Sequence, residues 1–395
     1  MKTITLTRHA IIPDPVRISL YHKAPELGPK ILFFSGGSAL NGLSQHLKNY
    51  TYNSIHLVTP FDSGGSSAKL RQAFDMPAIG DLRSRMMALA DETITGHPEV
   101  YHLFTYRLPS NQSQKALLQR LMNMVNGKDS LVKDIPNPMR RIIRNLLGFF
   151  IEEKPKDFDL KGASIGNLTL AGGYLNHHRH LDPVIYIFSK LVGVRGTVRA
   201  VVNDNSHLLA KLKSGGTIVG QHRLTGKEVK PIKSKITRLS LTSHPIKNVP
   251  TQASIRKKNY KLIQSADLIC FPPGSFYSSL ISNLLPEGVV KAITENNNPK
   301  VFIPNLGKDP EQFGLSLKEL IDTLLKIMEK SSPESSTNDF LNFILLDSKS
   351  GNYSGAIPTG LNKKGIQIID THLITSQSAP YYDPELLSNA LLSLV

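Results

Sequence analysis

The sequence predicts an α/β fold: a parallel sheet flanked by helices, with a helical insertion and a small antiparallel β portion. Three observations predict it. Short apolar runs alternate with helical patterns over residues 30–90. One of those runs passes at once into a glycine and hydroxyl loop, Ser35-Gly36-Gly37-Ser38, and another, ending at Val58, is followed by Asp62-Ser63-Gly64-Gly65-Ser66-Ser67. A third loop of the same kind, Pro272-Pro273-Gly274-Ser275, follows the apolar run 267–271, about two hundred residues further on. Loops at the carboxyl ends of parallel strands meet along one edge of the sheet, where open α/β folds keep their ligands.

The composition of these loops points to phosphate. Glycines let the backbone approach an anion, N–H groups at a helix start point toward it, and hydroxyls with cations add donors and charge. The candidate phosphate ligands are Gly36, Gly37, Ser38, Asp62, Gly64, Gly65, Ser66, Ser67, Lys69, Arg71, Asn167, Gly274 and Ser275. A carboxylate belongs beside phosphate when a cation lies between them, which makes Asp62 a candidate ligand of a magnesium ion, shared with Asp81 if the two lie on one rim. Each loop alone also reads as a solvated turn, and their repetition after strands argues otherwise. Gly36 to Gly42 does not have the spacing of a dinucleotide fingerprint, and the P-loop lysine is missing.

With 395 residues and 40% hydrophobic content, the chain can fill one large core or two moderate ones. Residues 1–29 read as an N-terminal extension with a strand at 16–21. Residues 30–330 read as a nucleotide-binding α/β domain with a helical insertion at about 91–160, and 331–395 as strands and a helix completing it. Cys270 is the sole cysteine and sits in an apolar run, so it reads as a buried structural thiol. Basic residues exceed acidic ones by 16 but are scattered, with small clusters at Arg140-Arg141, 227–235 and Arg256-Lys257-Lys258. Nucleic acid is therefore not the expected partner. No stretch has the length of a signal-peptide core or a membrane span, and the expected compartment is the cytoplasm.

Along the chain, 113–125 and 138–151 carry apolar residues at helical spacing, and Arg140, Arg141 and Arg144 read as a solvated helix face. Residues 162–172 form a glycine turn entering a helix, where Ser164 and Asn167 either cap the helix or touch a ligand. The run His177-His178-Arg179-His180 lacks the spacing of a metal site. A strand pair is expected at 191–202 around Gly193 and Gly196. Antiparallel strands are expected at 208–212 and 217–219, with another strand at 236–241. A helix at 260–265 leads to the strand 267–271. A strand at 301–305, a helix at 316–328, a polar linker at 331–338, strands at 340–346 and 366–370, and a helix at 384–395 complete the chain.

Five ordered motifs resemble the CofD-like superfamily, more its YvcK-type branch than its transferases. They are Ser35-Gly36-Gly37-Ser38-Ala39-Leu40, Asp62 through Arg71, Ile79-Gly80-Asp81-Leu82-Arg83, Ile165-Gly166-Asn167-Leu168 and Pro272 through Ser279. The resemblance implies a Rossmann-like fold, a homodimer, and a nucleotide or UDP-sugar-like ligand held in a regulatory role in carbon or cell-wall metabolism. The alternative it implies is a transferase moving a phospholactyl or phosphoenolpyruvyl group from a guanylyl donor to a deazaflavin alcohol with a divalent cation. Pro273-Gly274-Ser275 follows the binding branch. The chain also departs from the pattern. Ser63 stands where a second acidic residue is usual, Ser38-Ala39-Leu40 replaces Gly-Thr-Gly, and Gln221-His222 replaces Gly-Glu.

Overall fold

The apolar runs become the strands of one sheet. The structure is a computed structural model describing residues 9–226, 229–306 and 309–395. Its strands are β1 (Ile31–Ser35), β2 (Ile55–Val58), β3 (Thr197–Ala200), β4 (His207–Leu212), β5 (Thr217–Val219), β6 (Ile236–Thr242), β7 (Pro250–Thr251), β8 (Leu268–Phe271), β9 (Lys300–Phe302), β10 (Phe343–Leu346) and β11 (Gln367–Asp370). Seven of them form a sheet in the order β11-β10-β9-β8-β1-β2-β3, and every pairing in it is parallel. The four remaining strands make the small antiparallel sheet β5-β4-β6-β7.

Alternation along β1 decides which helices cover which face. Leu32 and Phe34 join Ile269 and Phe271 in a core completed by Leu320, Leu324 and Met328 of the helix Leu317–Ser331. Ile31 and Phe33 face the other way, toward Cys270, Val301 and Leu387 and Leu391 of the helix Pro384–Leu392. Both faces are covered, so β1, β2, β8 and β9 are buried along their whole length, and period-two polarity is absent from them. Burial pushes the Cys270 thiol well above its ordinary pKa, which keeps it in the unreactive form.

Between β2 and β3 the chain makes a long helical excursion. Gln114–Val125, Met139–Glu153 and Ile165–Asn176 pack through Leu117, Leu121, Phe150 and Leu168 into a cluster that also takes in Val58 of β2 and Val198 and Ala200 of β3. After β3 the chain passes through the antiparallel sheet and returns on the far side of β1 as β8. The strand order therefore reverses between β1 and β8, which makes their carboxyl ends the crevice where ligands collect in this architecture.

Two elements differ from expectation. Residues 16–21 are helical within Pro15–Lys23 and not a strand. The alternation of Val16, Ile18 and Leu20 is outweighed by a helix start, in which the Asp14 carboxylate accepts from Val16 N and Arg17 N and proline occupies the first position. Residues 191–202 contain one strand and not a pair, because Leu181, Val184, Ile185, Phe188 and Leu191 keep helical spacing and carry the helix Leu181–Leu191 into that region. The polar linker at 331–338 is shortened at both ends by Leu317–Ser331 and Thr337–Phe340. Residues 1–8 of the N-terminal extension and Lys227 of the basic cluster lie outside the described residues.

The helix Pro15–Lys23 buries none of its residues fully and leans on its cap. Asp14→Ala is expected to lower stability by about 1 kcal/mol, read from the urea midpoint at unchanged slope.

Candidate functional site

The carboxyl ends of β1, β2 and β8 lie side by side, and their loops interlock. A Cβ on Gly36 would fall 2.5 Å from Ser279 Oγ and 3.0 Å from Thr59 Cγ2, so the first loop reaches the third because position 36 has no side chain. Asn283 Nδ2 binds both Ser35 O and Ser279 O, at 3.0 and 2.7 Å. Arg85, almost completely buried, donates to Ser44 Oγ at 2.7 Å and to Gly37 O at 3.2 Å, which turns that carbonyl inward. Gly37 N donates to Asp81 Oδ2 at 3.0 Å, fastening the first loop to the start of the helix Gly80–Ala88.

The second loop is closed by Asp62, whose Oδ1 accepts from Gly64 N at 3.1 Å just before the helix Gly65–Phe74. The third leads into the π-helical turn Phe276–Ile281, where Leu280 N bonds to Ser275 O five residues back. The amides at the start of that turn are spoken for: Asp309 Oδ2 accepts from Phe276 N at 2.9 Å, and Glu311 Oε2 from Tyr277 N and Ser278 N at 2.8 Å each. Burial, reinforced by neighbouring Asp309, raises the Glu311 carboxyl to about 8.

Where the loops meet, the wall encloses a polar cavity of about 440 Å³. Gly37, Ser38, Asp62, Gly64, Gly65, Ser66, Ser67, Asp81, Asn167 and Ser275 all line it. Gly36 and Gly274 face an adjoining, more apolar compartment of about 490 Å³ bounded by Phe34, Leu43, Pro272, Leu306 and Tyr381. Gly37, Ser38, Ser275 and Ser279 border both.

Two expected ligands are not brought to either space. Lys69 points to Asp159, with its Nζ 2.5 Å from Oδ2. Arg71 is buried behind the second loop, donating to Asp62 O at 3.0 Å, Ser206 O at 2.7 Å and Asn205 Oδ1 at 2.8 and 3.1 Å. It braces the loop against the segment after β3 and leaves the cavity to others.

Those others are arginines that motif reasoning left off the site. Arg83 and Arg107 both line the cavity. Room for Arg83 comes from Gly166, whose absent Cβ would lie 2.9 Å from Arg83 Cδ and 2.7 Å from Phe104 O. Arg83 Nε and Asn167 Oδ1 are buried without a protein partner. Burial, with nearby Arg107 adding to it and Asp81 opposing, lowers Arg83 to about 10, so it remains a cation at neutral pH. The available sequence signal for Arg83 is its place beside Asp81 in a glycine-started helix; Arg107 has none. His222 completes the wall, and its Nδ1 lies 2.8 Å from Ser63 Oγ. The magnesium expected at Asp62 and Asp81 would find these two carboxylates on the wall, and no group of three His, Cys, Asp or Glu gathers among the described residues.

A parallel sheet with a switch point, and a cleft of glycine loops and arginines above it, defines an open α/β protein with helices on both faces of its sheet. Within that class the lineage is specific. A family model described as 2-phospho-L-lactate transferase CofD matches residues 31–374, and the chain belongs to the CofD family. It is similar to the gluconeogenesis factor of Listeria innocua, 27% identical over 282 residues covering 71% of this chain and 68% of that one. A Thermotoga maritima protein given the same role provisionally is 26% identical over 304 residues, 76% of each chain. The crystal structure of a UPF0052 family protein from Bacillus halodurans superposes with a TM-score of 0.67 at 23% identity, covering 92% of this chain and 99% of its own, a likeness of fold. Among the described residues no helix is long and apolar enough to cross a membrane.

The Glu311 carboxyl makes a pH prediction. Its folded pKa lies above the unfolded one, so its contribution is complete below about 4.5 and is lost as pH rises through about 8. Urea unfolding across that range should show wild type losing stability relative to Glu311→Gln, at no more than about 1.4 kcal/mol per pH unit.

Proposed function

We propose that this protein binds a nucleoside diphosphate or nucleotide sugar of the UDP-sugar kind, with its diphosphate in the polar cavity and its nucleoside in the adjoining apolar compartment. One observation carries the reading: Arg83 Nε and Asn167 Oδ1, a buried donor and a buried acceptor, have no protein partner on a wall where three glycine loops meet. Leaving such groups unpaired costs roughly 1–3 kcal/mol each, and more for a charged one, which a ligand oxygen and a ligand hydroxyl would recover. Ser38, Ser66 and Ser275 offer further donors. The regulatory role fits relatives described as gluconeogenesis factors.

The family description favours a second reading, a transferase of the CofD type that works with a divalent cation. In it an acceptor hydroxyl would attack an activated phosphodiester, and the protein would position both reactants. Incubation of the folded protein with a deazaflavin alcohol, guanylyl phospholactate and magnesium should give product under this reading; no turnover would count against it.

For the binding reading, UDP-glucose is expected to raise the melting temperature. Arg83→Ala is expected to weaken its affinity by about ten- to a hundredfold, the worth of a charged hydrogen bond. Lys69→Ala, whose amine turns to Asp159, should leave it unchanged. Equal affinities of wild type and Arg83→Ala would remove this site.

A further inference from the structure

The carboxylates of this cavity already have cationic neighbours of their own. Asp62 lies in the field of Arg71, whose guanidinium also binds Asp62 O at 3.0 Å. Asp81 lies in the field of both Arg83 and Arg85. Arg107 faces Arg83, and the two repel. In this layer four guanidiniums meet two carboxylates, with Asp75 a further carboxylate near Arg71 on the side away from the cavity. The two guanidiniums on the wall match its two carboxylates, and Arg71 and Arg85 behind the loops, offset in part by Asp75, leave the layer with a positive surplus.

The backbone takes up carboxylate oxygens as well. Asp62 Oδ1 is used by Gly64 N and Asp81 Oδ2 by Gly37 N. The hydroxyl beside Asp62 is committed too: Ser63 Oγ accepts from His222 N at 3.2 Å, which leaves its own proton for His222 Nδ1 at 2.8 Å. Ser63 and His222 are thus in direct contact, and this corner of the cavity offers a hydroxyl and an imidazole in place of anionic oxygens. Magnesium demands hard oxygen ligands and dehydrates reluctantly, and this donor set, crowded by guanidiniums, does not suit it.

We propose that the cavity neutralises its diphosphate with its own side chains and needs no divalent cation, the Ser63–His222 pair presenting no carboxylate that would recruit one. The proposal rests on the diphosphate reading above. Arg83 and Arg107 supply the charge, and His222 contributes a hydrogen bond from the edge opposite Ser63. A diphosphate diester, which carries no titrating group near neutral pH, is the ligand chemistry such a wall matches.

Two measurements on the full chain decide it. Calorimetric titration with UDP-glucose in magnesium and in EDTA should give dissociation constants within about threefold of each other, a difference below 1 kcal/mol. Manganese(II) added to the protein, alone or with UDP-glucose, should keep the electron paramagnetic resonance signal of the free ion beyond what the nucleotide itself removes. The variant Ser63→Asp with His222→Glu should take up manganese and bind UDP-glucose about tenfold more weakly in EDTA than in magnesium. Wild-type binding that collapses in EDTA, or manganese uptake by wild type, overturns the proposal while leaving the diphosphate reading intact. A folded double variant that stays indifferent to cations overturns the role given to Ser63 and His222. If UDP-glucose, UDP, GDP and ADP all fail to bind with or without magnesium, the diphosphate reading falls and this inference with it.

Discussion

The approach of the first glycine loop to the third is the constraint on which the cleft depends. At Gly36 the backbone passes so near Ser279 that even a methyl group would sit 2.5 Å from its hydroxyl. Asn283 and Arg85 hold that approach from beneath by taking the carbonyls of Ser35 and Gly37. Parallel pairing of β1 with both β2 and β8 brings the three loop ends together, and the missing side chain lets them close. A cavity rimmed by backbone, small hydroxyls and two pairs of opposite charges is what remains.

The arginines divide the work by depth. Arg71 and Arg85 lie behind the loops and spend their donors on protein oxygens, which fixes loop conformation. Arg83 and Arg107 stand on the wall, and Arg83 keeps a buried donor unspent. Burial lowers Arg71, Arg83 and Arg85 each to about 10, still well above neutrality, so all three hold positive charge around the empty volume. Arg83 and Arg107 repel each other across the wall, and Asp81 moderates the charge on Arg83 as Asp62 does that on Arg71.

The sheet and its three loops were legible because each rests on a local signal: a fully apolar run, then glycine and hydroxyl residues, then helical spacing. The strand assigned to 16–21 failed because alternation over six residues is weaker than an Asp-Pro helix start. At the site, Ser38, Asp62, Asp81, Asn167 and Ser275 stand on the wall of one cavity. Lys69 and Arg71 do not, since positions on the helix Gly65–Phe74 after its first turn face Asp159 and the segment following β3. Arg107 comes from the helical excursion and meets Ser66 Oγ at 3.4 Å across a separation of 41 residues, a contact no local pattern announces. The pairing of Ser63 with His222 spans 159 residues and was visible only as two separate departures from a pattern.

The most direct test of the central claim, that loops from distant parts of the chain grip one diphosphate, is a crystal structure of the protein with UDP-glucose. The account predicts the diphosphate within hydrogen-bonding distance of the Arg83 guanidinium and Ser38, with the uridine in the compartment bounded by Phe34 and Tyr381. A diphosphate bound elsewhere, with Arg83 Nε still unpartnered, would contradict it.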